Sequence, residues 1–295
     1  MHVVVGGASG FLGTALVSHL RESGKRVTRL VRKPEDRSDA SVWDPAAGLI
    51  EQRVIDSADV VVNLSGESIT HWPPTKRWQE KVLASRVSAT STLARAIAHA
   101  PKPPSLLSAS GMSYYGADRG DEILTETSDA GDGLLSEVVH AWEAAAETAA
   151  EAGAHVCLLR TTAALDRTGG LLKAMLPAFR IGLGARIGDG QQFMSVISRD
   201  DWVRAVTFLA ERDDLSGPFN LAMPDDTTND QFTEALAAAV GRRRLLVAPR
   251  PILRVASGPL ADDFLGSLRV RPKALVDAGF SFNHPDLASL LDAAL

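Results

Sequence analysis

The feature that most restricts what this chain can fold into is the glycine-spaced turn Gly7-x-x-Gly10-x-x-Gly13, inside the run GGASGFLG at Gly6–Gly13. It follows the β-branched run His2–Val5 directly and opens Phe11–Glu22, where Leu12, Leu16 and Leu20 fall on one helical face. A strand, a glycine turn and a helix in that order form the dinucleotide-binding unit of a parallel α/β sheet. Gly7 permits the tight turn, Gly10 lets a pyrophosphate approach the backbone, and Gly13 lets the helix pack closely on the strand. The helix start, with Phe11 and Leu12, presents N–H groups to phosphate. The alternative is a glycine turn without a ligand, and the agreement of strand, turn and helix weighs against it.

The pattern continues as alternating strands and helices. Arg26–Val31 and Asp59–Leu64 read as strands, Thr75–His99 as a long helix, and Ser105–Ser108 as a strand after Pro103-Pro104. A turn-rich loop over residues 111–133 leads to an alanine-rich helix, Leu134–Ala152, and a strand, His155–Arg160. The expected class is α/β, a Rossmann-type doubly wound parallel sheet followed by a smaller C-terminal substrate lobe. Past Arg160 glycines cluster at Gly169-Gly170, Gly182, Gly184, Gly188 and Gly190, which predicts ligand-proximal loops. Helices are expected again at Arg199–Glu211 and Asn229–Val240, around a short strand Phe219–Leu221. The domain reading is residues 1–245 for the nucleotide-binding part, with substrate-lobe segments mainly after 160, and 246–295 for an appendage of that lobe.

The choice of cofactor is read at the end of the second strand. An Asp or Glu there holds the ribose 2′-hydroxyl of NAD, but Lys25–Pro34 reads KRVTRLVRKP and contains no acid. Arg32 and Lys33 stand where a 2′-phosphate would sit, so NADP(H) is the expected cofactor. Two solvated surface cations are the alternative.

Composition excludes several classes. A net charge of −5 gives no global pull toward nucleic acid, and Arg242-Arg243-Arg244 reads as a solvated turn. One cysteine, Cys157, excludes an internal disulfide and a cysteine-built zinc site. It lies in the apolar run HVCLLR, which reads as a buried strand. Histidines and carboxylates show no metal-ligand spacing, so no metal is expected. No apolar run reaches the ~20 residues of a membrane span. A strand beginning at His2 leaves no signal peptide to expect, and the expected location is cytoplasmic.

With these residues in hand, the chain resembles the extended short-chain dehydrogenase/reductase superfamily. It is most similar to the atypical branch of sugar-nucleotide epimerase-like proteins with a C-terminal domain of unknown function (DUF1731-like). The likeness is carried in order by GGASGFLG, Trp43-Asp44-Pro45, Asn63-Leu64-Ser65-Gly66-Glu67, Arg77-Trp78 with Ser85-Arg86, and Ser108-Ala109-Ser110 before Tyr114-Tyr115-Gly116. Trp142-Glu143, Leu159-Arg160-Thr161, Gly169-Gly170 and Gly182–Gly184 continue it, and Arg269-Val270-Arg271-Pro272 with Gly279-Phe280-Ser281-Phe282 completes it. The resemblance implies that Leu64 and Ser65 line the ribose and nicotinamide side of the cofactor, that Gly66 beside them belongs to the cofactor site, and that Arg86 reaches the cofactor from the long helix. It also implies a small-molecule substrate. A homodimer is common in the superfamily.

The superfamily's proton-transferring Tyr-x-x-x-Lys pair is missing. Counting back from Glu143, Val139 takes the lysine position beside the cofactor and Leu135 the tyrosine position, and neither moves a proton. Ser110, at a strand end, with Tyr114 and Tyr115, the only tyrosines, are the substitute catalytic candidates. Packing against the cofactor is the alternative for the tyrosines. Glu67 is a general acid/base candidate or a cap. A second departure lies at Gln192, Ser195, Val196, Ile197, Ser198 and Asp201: Val196 and Ser198 stand where the branch has tryptophan and histidine. A bulky wall and an imidazole are therefore expected to be missing from the substrate pocket, unless this stretch is structural. Two functions stay open: an NADP-dependent oxidoreductase or epimerase acting on a hydroxyl- or carbonyl-bearing ligand such as a nucleotide sugar, and a non-catalytic NADPH-binding sensor or interaction protein.

Overall fold

The computed structural model describes residues 1–68, 75–243, 246–257 and 261–295, with residues 255–257 and 264 described by backbone alone. Arg244, the last of the three-arginine run, lies outside the described residues. The chain forms two compact units: Met1–Ser110 with Val138–Leu159 and Val203–Pro218, and Gly111–Glu137 with Arg160–Trp202 and Phe219–Leu295. The second unit thus takes in a segment well upstream of residue 160.

The β-branched runs become the strands β1 (His2–Gly6), β2 (Arg26–Val31), β3 (Ala40–Val42), β4 (Val60–Asn63) and β5 (Ser105–Gly111). With Val156–Thr161 and Gly217–Leu221 they make a seven-stranded sheet in the order Gly217–Leu221, Val156–Thr161, β5, β4, β1, β2, β3. β1 pairs parallel with both β2 and β4, and β4 pairs parallel with β5. Chain order runs outward in one direction from β1 to β3 and in the other from β4. The switch point therefore falls between β1 and β4, where such sheets bind ligands beyond the strands' carboxyl ends. Register puts Gly6 opposite Leu30 and Asn63, and Asn63 opposite Ser108. The residues just past that row share one edge: the glycine turn, Val31–Lys33, Leu64–Glu67 and Ala109–Gly111.

Four helices matter for that edge: α1 (Phe11–Glu22), α2 (Gln52–Asp56), α3 (Lys76–Ala98) and α4 (Leu134–Ala144). Thr75 caps α3 by accepting from the Trp78 amide. Val4, Trp43, Ile55, Val61, Leu93 and Leu106 form the core of the first unit. Cys157 is buried in the strand Val156–Thr161, its thiol near the Leu215 carbonyl at 3.5 Å, and burial pushes its pKa up to about 12. It is therefore a protonated, inert thiol at neutral pH.

Two elements differ from the sequence expectation. The alanine-rich helix is interrupted: α4 ends at Ala144 and a second short helix, Glu147–Glu151, follows. Ala146 donates to the Glu143 carbonyl in a tightened turn that sets Ala146 and Ala149 into the core. In the glycine-rich stretch expected to be loop, Gly170–Arg180 is a helix, buried through Leu172, Leu176 and Phe179. These pack with Val196, Phe232, Leu290 and Leu291, so the C-terminal tail contributes to the second unit's core. Arg269–Val270 of the tail also pairs with Ile123–Leu124.

Candidate functional site

The three glycines of the opening turn serve distinct physical needs. Gly7 has φ +75°, and a Cβ there would meet the Leu64 carbonyl carbon at 2.5 Å. Gly13 lies so close to the turn that a Cβ would meet the Gly7 carbonyl oxygen at 2.2 Å. Both are required by the fold itself. Gly10 is not: its backbone is extended (φ −76°, ψ 174°), and a Cβ would meet only the Gly7 carbonyl oxygen, at an ordinary 3.4 Å. Its open face is free for a ligand to approach. α1 starts there with no side-chain cap and no acid in its first turn, which leaves the positive end of the helix electrostatically open to an anion.

Charge beside the turn is unevenly matched. Asp39 accepts hydrogen bonds from Arg37 and Arg29 and also pairs with Arg21, while Glu35 pairs with Arg29. Hydrogen bonds from Arg37 and Arg29 hold the Asp39 carboxyl far below the usual carboxylate range. Arg32 and Lys33, immediately past β2, are exposed, and among the described residues neither forms an ion pair. Of the cations around β2, these two alone face solvent uncompensated at the same edge as Gly10.

On the other side of the switch point, Asn63 holds the next loop. Its side-chain oxygen accepts from the Ser65 amide at 3.1 Å and its amide donates to Thr90, to which the Trp142 indole also donates. The Ser65 hydroxyl is buried with no partner among the described residues, as is that of Ser108. An orphaned hydroxyl against Gly6, where the glycine turn begins, is what a site awaiting a polar ligand presents. The glycine cradle, the open helix end, Ser65 and the Arg32–Lys33 pair together fit a phosphorylated dinucleotide.

Arg86, expected to reach the cofactor, donates to the carbonyls of Glu67 and Val82 and stacks 5.0 Å from the Trp142 ring. Its side chain lies against Gly66, and burial lowers its pKa to about 10. It fastens the Leu64–Glu67 loop. The Glu67 amide donates to Ser85 and its side chain is exposed, which accounts for the Ser85-Arg86 element.

Ser110 is buried and donates to Glu143 Oε1 at 2.6 Å. This pair escaped the sequence reading, because 33 residues separate the two and only the packing of α4 on β5 joins them. Leu135 and Val139 lie on α4 at helical spacing from Glu143 and are 8% and 5% exposed. Tyr114 and Tyr115 belong to the second unit. Tyr115 is fully buried with Leu124, Ala222 and Val270, and it donates to Asn220 Oδ1 at 2.7 Å while accepting from Arg160. Burial raises its pKa further. The Tyr114 ring lies under the Arg160 guanidinium at 3.3 Å.

Val196 and Ser198 stand in a short buried strand. Val196 belongs to the second unit's core, and the Ser198 hydroxyl accepts from the Asp201 amide. Asp201 in turn accepts from the Asn283 and His284 amides, anchoring the tail. Val196, Ser198 and Asp201 thus serve packing and the anchoring of the tail in this unit.

Residues 3–222 match the NAD dependent epimerase/dehydratase family, and residues 248–294 match a domain of unknown function (DUF1731). The chain is 38% identical over 293 residues to epimerase family protein Mb2239 of Mycobacterium bovis, covering 99% of this chain and 97% of that one. The crystal structure of human epimerase family protein SDR39U1 (isoform2) with NADPH superposes with TM-score 0.90 at 34% identity, covering 100% and 99% of the two chains. A nucleoside-diphosphate sugar epimerase from Corynebacterium glutamicum gives TM-score 0.82 at 33% identity, covering all of this chain and 58% of that one.

Proposed function

The chain belongs to the NAD-dependent epimerase/dehydratase family, and from that premise we propose that it binds NADP(H) and acts as an oxidoreductase or epimerase on a small hydroxyl- or carbonyl-bearing ligand. The observation that carries the cofactor reading is the open face of Gly10 beside the uncompensated Arg32 and Lys33. The human relative's crystal structure with NADPH supports it, and the Corynebacterium relative's description supports a nucleotide sugar as ligand. Gly7–Gly13 and the start of α1 would hold the pyrophosphate, Arg32 and Lys33 the 2′-phosphate, and Ser65 a ribose or nicotinamide group. When bound, the nicotinamide supplies a hydride acceptor or donor.

Ser110 is the proton-handling candidate of this chain. Glu143 takes its hydroxyl proton in a short hydrogen bond, so the serine oxygen keeps its lone pairs for a substrate hydroxyl. A second reading, in which NADP(H) is held as a signal without turnover, is favoured by Leu135 and Val139, hydrocarbon at both positions of the superfamily's proton-transfer pair. One experiment addresses both readings. NADPH and NADH are titrated against wild type and Arg32→Ala, and absorbance of bound NADPH is then followed as carbonyls, quinones and nucleotide sugars are added. We expect NADPH to bind more tightly, with Arg32→Ala losing about tenfold or more for NADPH alone. NADH binding at least as tightly would sink the cofactor assignment. Turnover that falls about 10²–10⁴-fold in Ser110→Ala supports the enzyme. Tight binding with no turnover supports the sensor.

A further inference from the structure

The cofactor site leaves the Arg77-Trp78 start of α3 unexplained. The Leu64–Glu67 loop and Ser68 after it are latched to this helix at three points. The Glu67 amide donates to Ser85, Arg86 donates to the Glu67 carbonyl, and the Trp78 indole donates to the Ser68 carbonyl at 3.1 Å. Beside the latch lies an open recess of about 350 Å³, lined among the described residues by Glu67, Thr75, Arg77, Trp78 and Lys81. That volume suits part of a small molecule better than a lone ion.

The charge of this recess is unbalanced. Arg77 and Lys81 are four residues apart on one helix face, where like charges repel, and Lys76 adds a third exposed cation. Among the described residues none of the three forms an ion pair, and the six residues from 69 to 74 contain no Asp or Glu that could supply one. Glu67 is the single carboxylate on the described wall. The Thr75 hydroxyl accepts from the Trp78 amide and the Trp78 indole is spent on Ser68, which leaves a guanidinium, an ammonium and the Glu67 carboxylate as the charged groups the recess offers. Glu80, one turn from Lys76 and Arg77 on the same helix, and Glu67 on the wall form no ion pair with these cations, so the recess keeps a net positive lining that can receive an anion from outside.

We infer that the recess takes the anionic end, a carboxylate or a phosphate, of the substrate handled at the cofactor site, an inference that rests on the reading of that site given above. Glu67 is two residues past Ser65, on the same latched loop that borders Gly7. A ligand gripped by Arg77 and Lys81 therefore runs along this loop toward the switch point with its hydroxyl or carbonyl end leading. The planar fork of Arg77 matches either oxyanion, and Lys81 adds a point charge. Glu67, on the same wall, can accept a hydrogen bond from a ligand hydroxyl beside the anionic group.

The test uses the full chain with NADPH saturating, so that the glycine turn is occupied, and titrates inorganic phosphate, pyrophosphate and acetate by calorimetry. We expect binding of at least one anion, weakened roughly tenfold or more in Arg77→Gln and in Lys81→Gln, with NADPH affinity unchanged. Phosphate favoured over acetate assigns a phosphate-bearing ligand, and the reverse a carboxylate. Both variants, free of ligand, should melt at or above the wild-type temperature, because each relieves like-charge repulsion. No binding of any of the three anions by wild type, or equal binding by the variants, overturns the inference. Lower melting in both with anion binding intact also overturns it, by making the cations structural. Failure of NADPH itself to bind is seen before any anion is added and overturns the cofactor reading instead.

Discussion

Gly10 and Gly13 are the same residue three positions apart, held for opposite reasons. Alanine at Gly13 drives a methyl into the Gly7 carbonyl, whereas alanine at Gly10 meets nothing closer than 3.4 Å. Gly13→Ala should therefore destabilise the protein by about 1–3 kcal/mol through overpacking. Gly10→Ala should cost only about 0.5–1 kcal/mol, as a poorer helix cap, while weakening NADPH binding about tenfold or more. Paired denaturation curves and NADPH titrations check this, and equal loss of stability in both variants would refute the division of labour. The glycine spacing was legible in the sequence because it acts through its own stretch of backbone, and so was the position of Arg32 and Lys33 just past the second strand, which local chain order sets. Ser110 with Glu143, and the burial of Tyr115 against Ala222 and Val270, were not. Those contacts depend on segments that meet only after the chain has folded.

At the scale of elements, the strands around the turn and α1 could be read from periodicity because burial follows the apolar pattern directly. The helix Gly170–Arg180 could not. Gly169, Gly170 and Pro177 all argue against helix locally, yet Leu172, Leu176 and Phe179 line one face that Val196 and Phe232 cover. Tertiary packing here overrides propensity. Pro177 sits exposed in the interior of the helix, where it donates no hydrogen bond to the preceding turn. Pro177→Ala should stabilise the second unit by about 1–3 kcal/mol, as read by a denaturant midpoint that rises with an unchanged slope. The break after α4 teaches the same lesson in reverse. A run of alanines would continue as helix, but seating Ala146 and Ala149 in the core interrupts it.

Across the whole molecule, the C-terminal segment is stitched into the second unit by charge as well as by core packing. Asp226 accepts from Arg269 at 2.8 Å and from Arg271 at 2.9 Å, next to the strand pair formed by Arg269–Val270. Burial would raise the Asp226 pKa, but the hydrogen bonds from Arg271 and Arg269 outweigh it and leave the carboxyl below its usual value. A carboxyl lowered on folding contributes stability above its unfolded pKa of about 4 and loses it as pH falls through the folded value. Asp226→Asn should thus cost about 1–2 kcal/mol at pH 7, with the gap to wild type closing toward pH 3. Denaturant unfolding at the two pH values checks the sign, and a gap that widens in acid would contradict it. The buried Cys157 gives this chain a reporter of its own. With a single sulfhydryl walled into the sheet, every modification by a thiol reagent marks one event in which the first unit has opened. Native labelling should run at least about 10³-fold slower than in denaturant and follow the rate of opening, so a mass spectrometer reading one added tag can time the breathing of the nucleotide-binding half.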